Sequence, residues 1–435
     1  MDVPRDGRIS RDAAQRCPAH SAKLSPSAFS LRDPEVIASP WAYYQALHAH
    51  EGVHQDNETG IWIVAGYRQI QDVLRDNDRF SSVVDRPALR PGGMPAEATA
   101  ILAGTVKITP TLVGADPPVH TRLRPLVNLV FSAERVEKLV PFIQETIDRL
   151  IDGFAAQGTC DLVPTFAAPL PLTVIADQLG VAISEIDKIK LWSDAMIQIL
   201  GLMGDDARLV TCAGLQKEAL EFLLAQVRLR REHPSDSILS DLANTKDEAG
   251  ALLSDAEIAS ILMQLMVAGN ETTTNTIASG VLYLAQDSQL QARLRHGDAK
   301  DMRIFVEEIL RAEAPVQGHY RKAKVDVQFG DITIPAGAVV HVRYGAGNRD
   351  ESFFPNAAAI DLSRTNAPQH LSFGGGIHFC VGAMLARKEL QIAFRSLLDR
   401  LDAIALAVPE VALMRVPSAQ HRGLLSLPIT FTARS

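Results

Sequence analysis

Cysteine is scarce in this sequence. Four stand in 435 residues, at 17, 160, 212 and 380, with no C-x-x-C pair and no regular spacing. That argues against a disulfide framework and a structural zinc site, and a chain this long buries enough surface to fold without either. The expected setting is a reducing cytoplasm. Positive charge is also in deficit: 43 Lys and Arg against 51 Asp and Glu leave a net charge of −8, a poor balance for binding nucleic acid. Long hydrophobic runs are missing. The longest nearly apolar stretch, 258–269, is interrupted by Ser260 and Gln264 and falls short of the ~20 residues a spanning helix needs. The first twenty residues carry charges throughout and have no apolar h-region, so neither a secretory signal nor membrane attachment is expected. No internal repeat or dividing linker is visible, and 47% hydrophobic content rules out intrinsic disorder. The expectation is an irregular arm over 1–35 followed by one domain over 36–435.

Helical periodicity dominates what is present. Ser254 and Glu257 make an S-x-x-E capping box ahead of an apolar pattern that runs to about Gln286. A helix that long, apolar on most sides, must pass through the middle of the molecule. Shorter helices are predicted over 41–50, over 301–313 ahead of Pro315, and from the end of LSFGGGIHFCVG to about Arg400. Short strands are predicted at 61–64 and within VDVQFGDITIPAGAVVHV. Residues 81–118, rich in Pro and Gly, read as a long functional loop or lid. The fold class is mainly α with a minor β-sheet region.

Four constellations carry chemistry. FGGGIHFCVG places Cys380 after three glycines and before a helix start, where free N–H groups and the helix dipole favour a thiolate. Such a thiolate suits a nucleophile or a soft metal ligand; a buried structural cysteine beside a turn is the alternative. Glu308 and Arg311 form an E-x-x-R on one face of an apolar helix, a buried pair in need of a third partner. Ala268-Gly269-Asn270-Glu271-Thr272-Thr273 sets poor helix formers in the middle of the long helix, either as a solvated face or as an acid–alcohol pair that relays protons inside a pocket. In DPPVHTRLR, His120 and Arg124 share a helix face at i, i+4. A solvated basic face is again the alternative.

Phe373, Gly376, Cys380 and Gly382 spell F-x-x-G-x-x-x-C-x-G, which resembles the haem-thiolate loop of the cytochrome P450 family, and the other three motifs follow in that family's order. The resemblance extends from about residue 40 to the C-terminus and to the family's soluble bacterial type. It implies a single domain folded around haem b, with Cys380 as axial thiolate and Phe373 covering the sulfur side. His120, Arg124, Arg321 and His378 are implied as propionate contacts, Thr272 and Glu271 as the proton relay, and Glu308, Arg311 and Arg364 as a structural core. The implied activity is monooxygenation, either hydroxylation or oxidative dealkylation of a small to medium apolar organic substrate with O2. A peroxide-driven peroxygenase and a non-catalytic haem sensor or carrier are the alternatives. No reductase segment is recognisable, so electrons are expected from a separate ferredoxin with its reductase, docking on Arg122, Arg124, Arg387 and Lys388. The resemblance places Val267, Ala268, Val316, Leu424 and Leu425 around the substrate, under a lid formed by part of 81–113. Gln264, on the face of Ala268 and Thr272, would bond either a polar group of the substrate or a neighbouring backbone. A monomer is expected.

Overall fold

The structure is a computed structural model that describes residues 25–85, 89–90, 92–200 and 205–434. Most of the expected arm, Cys17 included, lies outside the described residues. Its last part, 25–35, is laid against the fold: Leu31 is buried and its N–H donates to the buried Asp56 carboxylate at 2.9 Å.

The long helix spans Asp255–Gln286, about 48 Å at 1.5 Å per residue. Both halves of its capping box form, with Glu257 N–H donating to Ser254 Oγ at 3.3 Å and Ser254 N–H to Glu257 Oε2 at 2.9 Å. It ends at Asp287, whose carboxylate caps the next helix through Leu290 N–H at 2.9 Å. The helix threads two separate cores. Ile258 through Val267 pack with Trp192, Leu220 and Leu223, whereas Ile277 through Leu284 pack with Phe305, Ile309 and Phe394. Between the two cores the helix opens: Ala268 is exposed, and Gly269, Glu271 and Thr272 are partly so, in an element otherwise buried almost end to end. No helix among the described residues is long and apolar enough to cross a membrane.

The Glu308 helix covers Ala299–Glu313, two residues earlier than its apolar pattern indicates, because Asp298 caps it by accepting from Lys300 and Asp301 N–H. It stops at Ala314, left-handed at φ 42°, just ahead of Pro315. The helix after the cysteine loop runs Ala383–Arg400 as expected. Three small sheets flank the helices. The largest sets Val53–Gln55, Trp62–Val64, Val339–Val342, His319–Ala323 and Phe80–Ser81 side by side, with one parallel pair, Trp62–Val64 on Val339–Val342. That sheet joins strands more than two hundred residues apart and brings Arg321 beside Ser81 and Ser82.

The 81–118 segment is more structured than expected. It holds a helix, Ala96–Ala103, and a short 3-10 turn, Leu112–Gly114. AEATAILA is rich in strong helix formers, a local preference that the flanking Pro and Gly obscured. This helix packs on the helix Asp206–Glu232, and Arg90 pairs with Asp206 at 2.9 Å.

One buried acid strains the fold. Glu389, on the Ala383–Arg400 helix, is buried with no hydrogen-bond partner for Oε2 among the described residues, and burial pushes its carboxyl up to about 8 from 4.5. The folded chain therefore holds this proton more tightly than the unfolded chain, and stability falls as pH rises from 4.5 towards 8. At neutral pH the penalty is about 3 kcal/mol, so Glu389→Gln should melt higher than the parent at neutral pH, match it in acid, and lose this part of the pH dependence. Thermal melts of both proteins across that window check it; parallel profiles would refute it.

Candidate functional site

Cys380 lies in the loop between Leu371 and the Ala383–Arg400 helix. The loop closes through Gly374 N–H to Leu371 O at 2.8 Å, Phe379 N–H to Gly376 O at 3.2 Å, and Cys380 N–H to Phe373 O at 2.9 Å. Gly376 is required on steric grounds: it has φ 61°, and a Cβ there would stand 2.1 Å from the Leu74 carbonyl oxygen. Its freedom thus serves close approach to the neighbouring helix Tyr67–Arg75. Burial pushes the Cys380 thiol up, opposed by the Gly382 N–H and the charges of Arg124 and Arg387.

The four expected propionate contacts converge. His120, buried on the helix Val119–Val130, packs edge to face on His378 with centroids 4.5 Å apart. One turn on, Arg124 donates to Phe379 O at 2.5 Å and Ile377 O at 3.4 Å. His378 is held down to about 3, by burial first and then by Arg321 and His120. His120 Nε2 and His378 Nδ1 are buried without hydrogen-bond partners among the described residues. Two arginines and two imidazoles facing one another with spare donors suit a ligand carrying two carboxylates, and a thiol nearby suits a soft metal. Two residues escaped sequence reasoning. Ser82 Oγ lies 2.8 Å from His378 Nε2, and Asp116 holds Ser81 Oγ at 2.5 Å and Ser82 N–H at 2.7 Å. No spacing signals the contact, because the strand Phe80–Ser81 and the segment ahead of the Val119–Val130 helix meet only in the fold.

The Glu308–Arg311 pair is fully buried and bidentate, at 2.6 and 3.0 Å, and Arg364 Nε stands 3.0 Å from the same carboxylate. Arg311 also donates to the carbonyls of Asn348, Ala357 and Ala359.

On the long helix, Thr272 Oγ1 donates to Ala268 O at 2.8 Å, and Thr276 repeats the pattern to Thr272 O. Glu271 accepts from Asn275 Nδ2 at 3.3 Å; burial raises its carboxyl, with Lys190 acting against the shift and Asp194 with it.

The expected substrate contacts lie in different settings. Gln264 is spent on the 81–118 segment: its amide donates to Thr111 O at 3.0 Å and to Thr111 Oγ1, while Ser260 Oγ accepts Thr109 N–H at 3.1 Å. Leu424 is buried in a cluster with Leu427 and Ile429, and Leu425 is half exposed beside Met414. Val267 is buried against Trp192, Val316 is partly buried, and Ala268 lies open. The basic dock is also largely neutralised. Arg122 pairs with Asp247 and Glu257, Arg387 with Glu307, and Lys388 with Glu137, because on an acidic chain each cation finds a carboxylate.

The lid contact is testable. Gln264→Leu removes both bonds to Thr111, next to Leu112, which holds a strained φ of 39°. If the protein carries the haem that the resemblance implies, its association with a bulky phenylimidazole should speed up about tenfold, the equivalent of one to two hydrogen bonds. Stopped-flow absorbance reads it, and an unchanged rate would dismiss the contact as a latch.

A glycine-bracketed cysteine, two arginines and two imidazoles that suit a dicarboxylate, and a long central helix opened at an acid–alcohol step together fit a haem-thiolate protein. The cytochrome P450 family profile matches residues 195–409. Cytochrome P450 107B1 of Saccharopolyspora erythraea is 34% identical over 91% of this chain and 98% of its own length, and the cytochrome P450 monooxygenase PikC of Streptomyces venezuelae is 35% identical over 91% and 92%. Among solved structures, cytochrome P450 CREJ in complex with (4-ethylphenyl) dihydrogen phosphate superposes with a TM-score of 0.85 at 30% identity, over 94% of this chain and all of that one. The chain belongs to the cytochrome P450 family. It is a haem monooxygenase: its cofactor is haem b on a cysteine thiolate, and it works with O2, an organic substrate and a redox partner.

Proposed function

We propose that the chain hydroxylates or oxidatively dealkylates a small to medium apolar organic molecule, with Cys380 as the iron ligand. The observation that carries this reading is the convergence of unpartnered donors from His120 and His378, with Arg124 and Arg321, beside Cys380. His120, Arg124, Arg321 and His378 would hold the propionates, with Ser82 orienting His378. Phe373 shields the sulfur. When bound, the haem supplies activation of O2, one atom going to substrate and the other to water.

The remaining work is done by side chains. Burial keeps a proton on Glu271 to higher pH than an ordinary carboxyl. Thr272 Oγ1 can accept that proton through water while its own hydrogen, now given to Ala268 O, moves on towards the opening. The half-exposed Lys190–Asp194 pair, at 2.5 Å, connects Glu271 electrostatically to the surface and suits replenishment of the proton. Val267, Ala268 and Val316 give the substrate an apolar wall, and the Gln264-tethered loop covers it. Electrons come from a ferredoxin-type donor, in the cytoplasm, where the free thiols of Cys160 and Cys212 stay reduced. The domain at work is 36–435.

A panel of small apolar compounds, screened for the spectral shift that follows displacement of iron-bound water, tests the reading and finds the substrate class. A colourless protein after expression with haem supply, or a Cys380→Ala variant that keeps the thiolate-specific carbon monoxide band, would overturn it.

A further inference from the structure

Glu307, beside the Glu308 of the core pair, belongs to a different network. Arg387 grips it with both arms, Nε to Oε1 at 2.6 Å and Nη2 to Oε2 at 3.0 Å. From the other side His370 Nε2 lies 3.1 Å from Oε2. Ser372 N–H donates to His370 Nδ1 at 3.2 Å, so the ring proton sits on Nε2 and His370 serves Glu307 as a neutral donor. The purpose of the grip lies in what the guanidinium covers. Arg387 Cζ stands 4.5 Å from the centroid of the Phe373 ring, whose other neighbours are His370 at 5.3 Å and Phe379 at 6.2 Å. Phe373 is the residue whose carbonyl takes the Cys380 N–H. Three chain segments, 307, 370–373 and 387, thus clamp one aromatic ring and one cation beside the cysteine.

We propose that Arg387, locked by Glu307 and His370 onto Phe373, is a positioning residue that raises the reduction potential of the iron by fixing a positive charge on the thiolate side. The inference rests on Cys380 being the iron ligand. One electron from the donor adds one negative charge to the iron centre, and a fixed cation nearby favours that more negative form. Geometry sets the sign: the pair points its cation at the Phe373 ring and turns its anion towards His370. Glu307 itself is held down to about 2, so the pair stays ionised. Stacking adds a requirement for a planar cation, which an ammonium does not meet in the same way.

The test is an equilibrium redox titration with small dye mediators on the haem-loaded parent, R387Q, R387K and E307Q, each first checked for the thiolate-specific carbon monoxide band. In R387Q the one-electron reduction constant should fall about tenfold, a shift of about 59 mV downward. E307Q leaves the cation uncompensated and should move the potential upward, while R387K should fall between the parent and R387Q. An unchanged potential in R387Q overturns the proposal, as do shifts of the same sign in R387Q and E307Q, which would report disturbed packing alone. If R387Q fails to hold haem, R387K and E307Q decide by the same opposite-sign criterion. A parent without the thiolate band would instead refute Cys380 as ligand, so the two failures are distinguishable.

Discussion

Arg311→Leu is expected to cost about 3–5 kcal/mol of stability and to leave little haem-loaded protein. The guanidinium is wholly buried and satisfies both oxygens of Glu308 together with three main-chain carbonyls from the segment 348–359. Leucine fills part of the volume but leaves three carbonyls without donors in a dry interior, where each unmet group costs about 1–3 kcal/mol, and leaves Glu308 only the Asp361 N–H at 2.8 Å and the Arg364 guanidinium at 3.0 Å. Arg364 cannot take over, because two of its nitrogens are already given to Pro355 O and Asn356 O. For a domain whose whole stability is about 5–15 kcal/mol, the loss is a large fraction. Denaturant titration and haem content per polypeptide measure it. A variant that unfolds within about 0.5 kcal/mol of the parent, the usual range of a surface substitution, would show that the cluster is not structural.

Glu271→Gln should fold normally and lower product formation about a hundredfold at unchanged KM, while oxygen consumption falls much less. Glutamine keeps the shape and can still accept from Asn275 Nδ2, but it has no proton to release. Thr272→Ala should uncouple the reaction in the same direction, since its hydroxyl is the nearest group that can pass a proton towards the opening at Ala268. The pH profile gives an independent readout. Burial raises the Glu271 carboxyl, so the parent should lose coupling as pH rises and that acid ionises, whereas E271Q should be flat over the same range. Equal ratios of product to oxygen consumed in parent and E271Q would eliminate Glu271 as the proton donor.

The local parts of this protein were legible because their signals are local. The Ser254–Glu257 box, the helix stop at Gln286 and the strands within 327–342 follow from caps, glycines and periodicity that act within a few residues. His120 and Arg124 share a face because four residues make about one turn, and the candidate ligand was marked by the glycines around it. The reading was weaker wherever a side chain had to choose a partner. Gln264 offered two uses from its helix position, and a loop 153 residues away took it. The cations of the presumed dock looked free on paper, but the acidic surroundings paired Arg122, Arg387 and Lys388. The helix Ala96–Ala103 was hidden between Pro95 and Gly104, which drew attention to the loop and away from a segment in which six of eight residues are good helix formers.

By itself the sequence determined the fold class, the cofactor family and the residue types at the centre, since these depend on backbone propensity and on short-range chemistry. Only the tertiary structure decided how charge is distributed around that centre. It placed Ser82 on His378, turned Arg387 from a surface contact into a clamp on Phe373, and left Glu389 Oε2 buried without a partner among the described residues. The physical reason is that electrostatic and hydrogen-bonding energies depend on distance and burial, and both are settled by contacts between segments far apart in the chain.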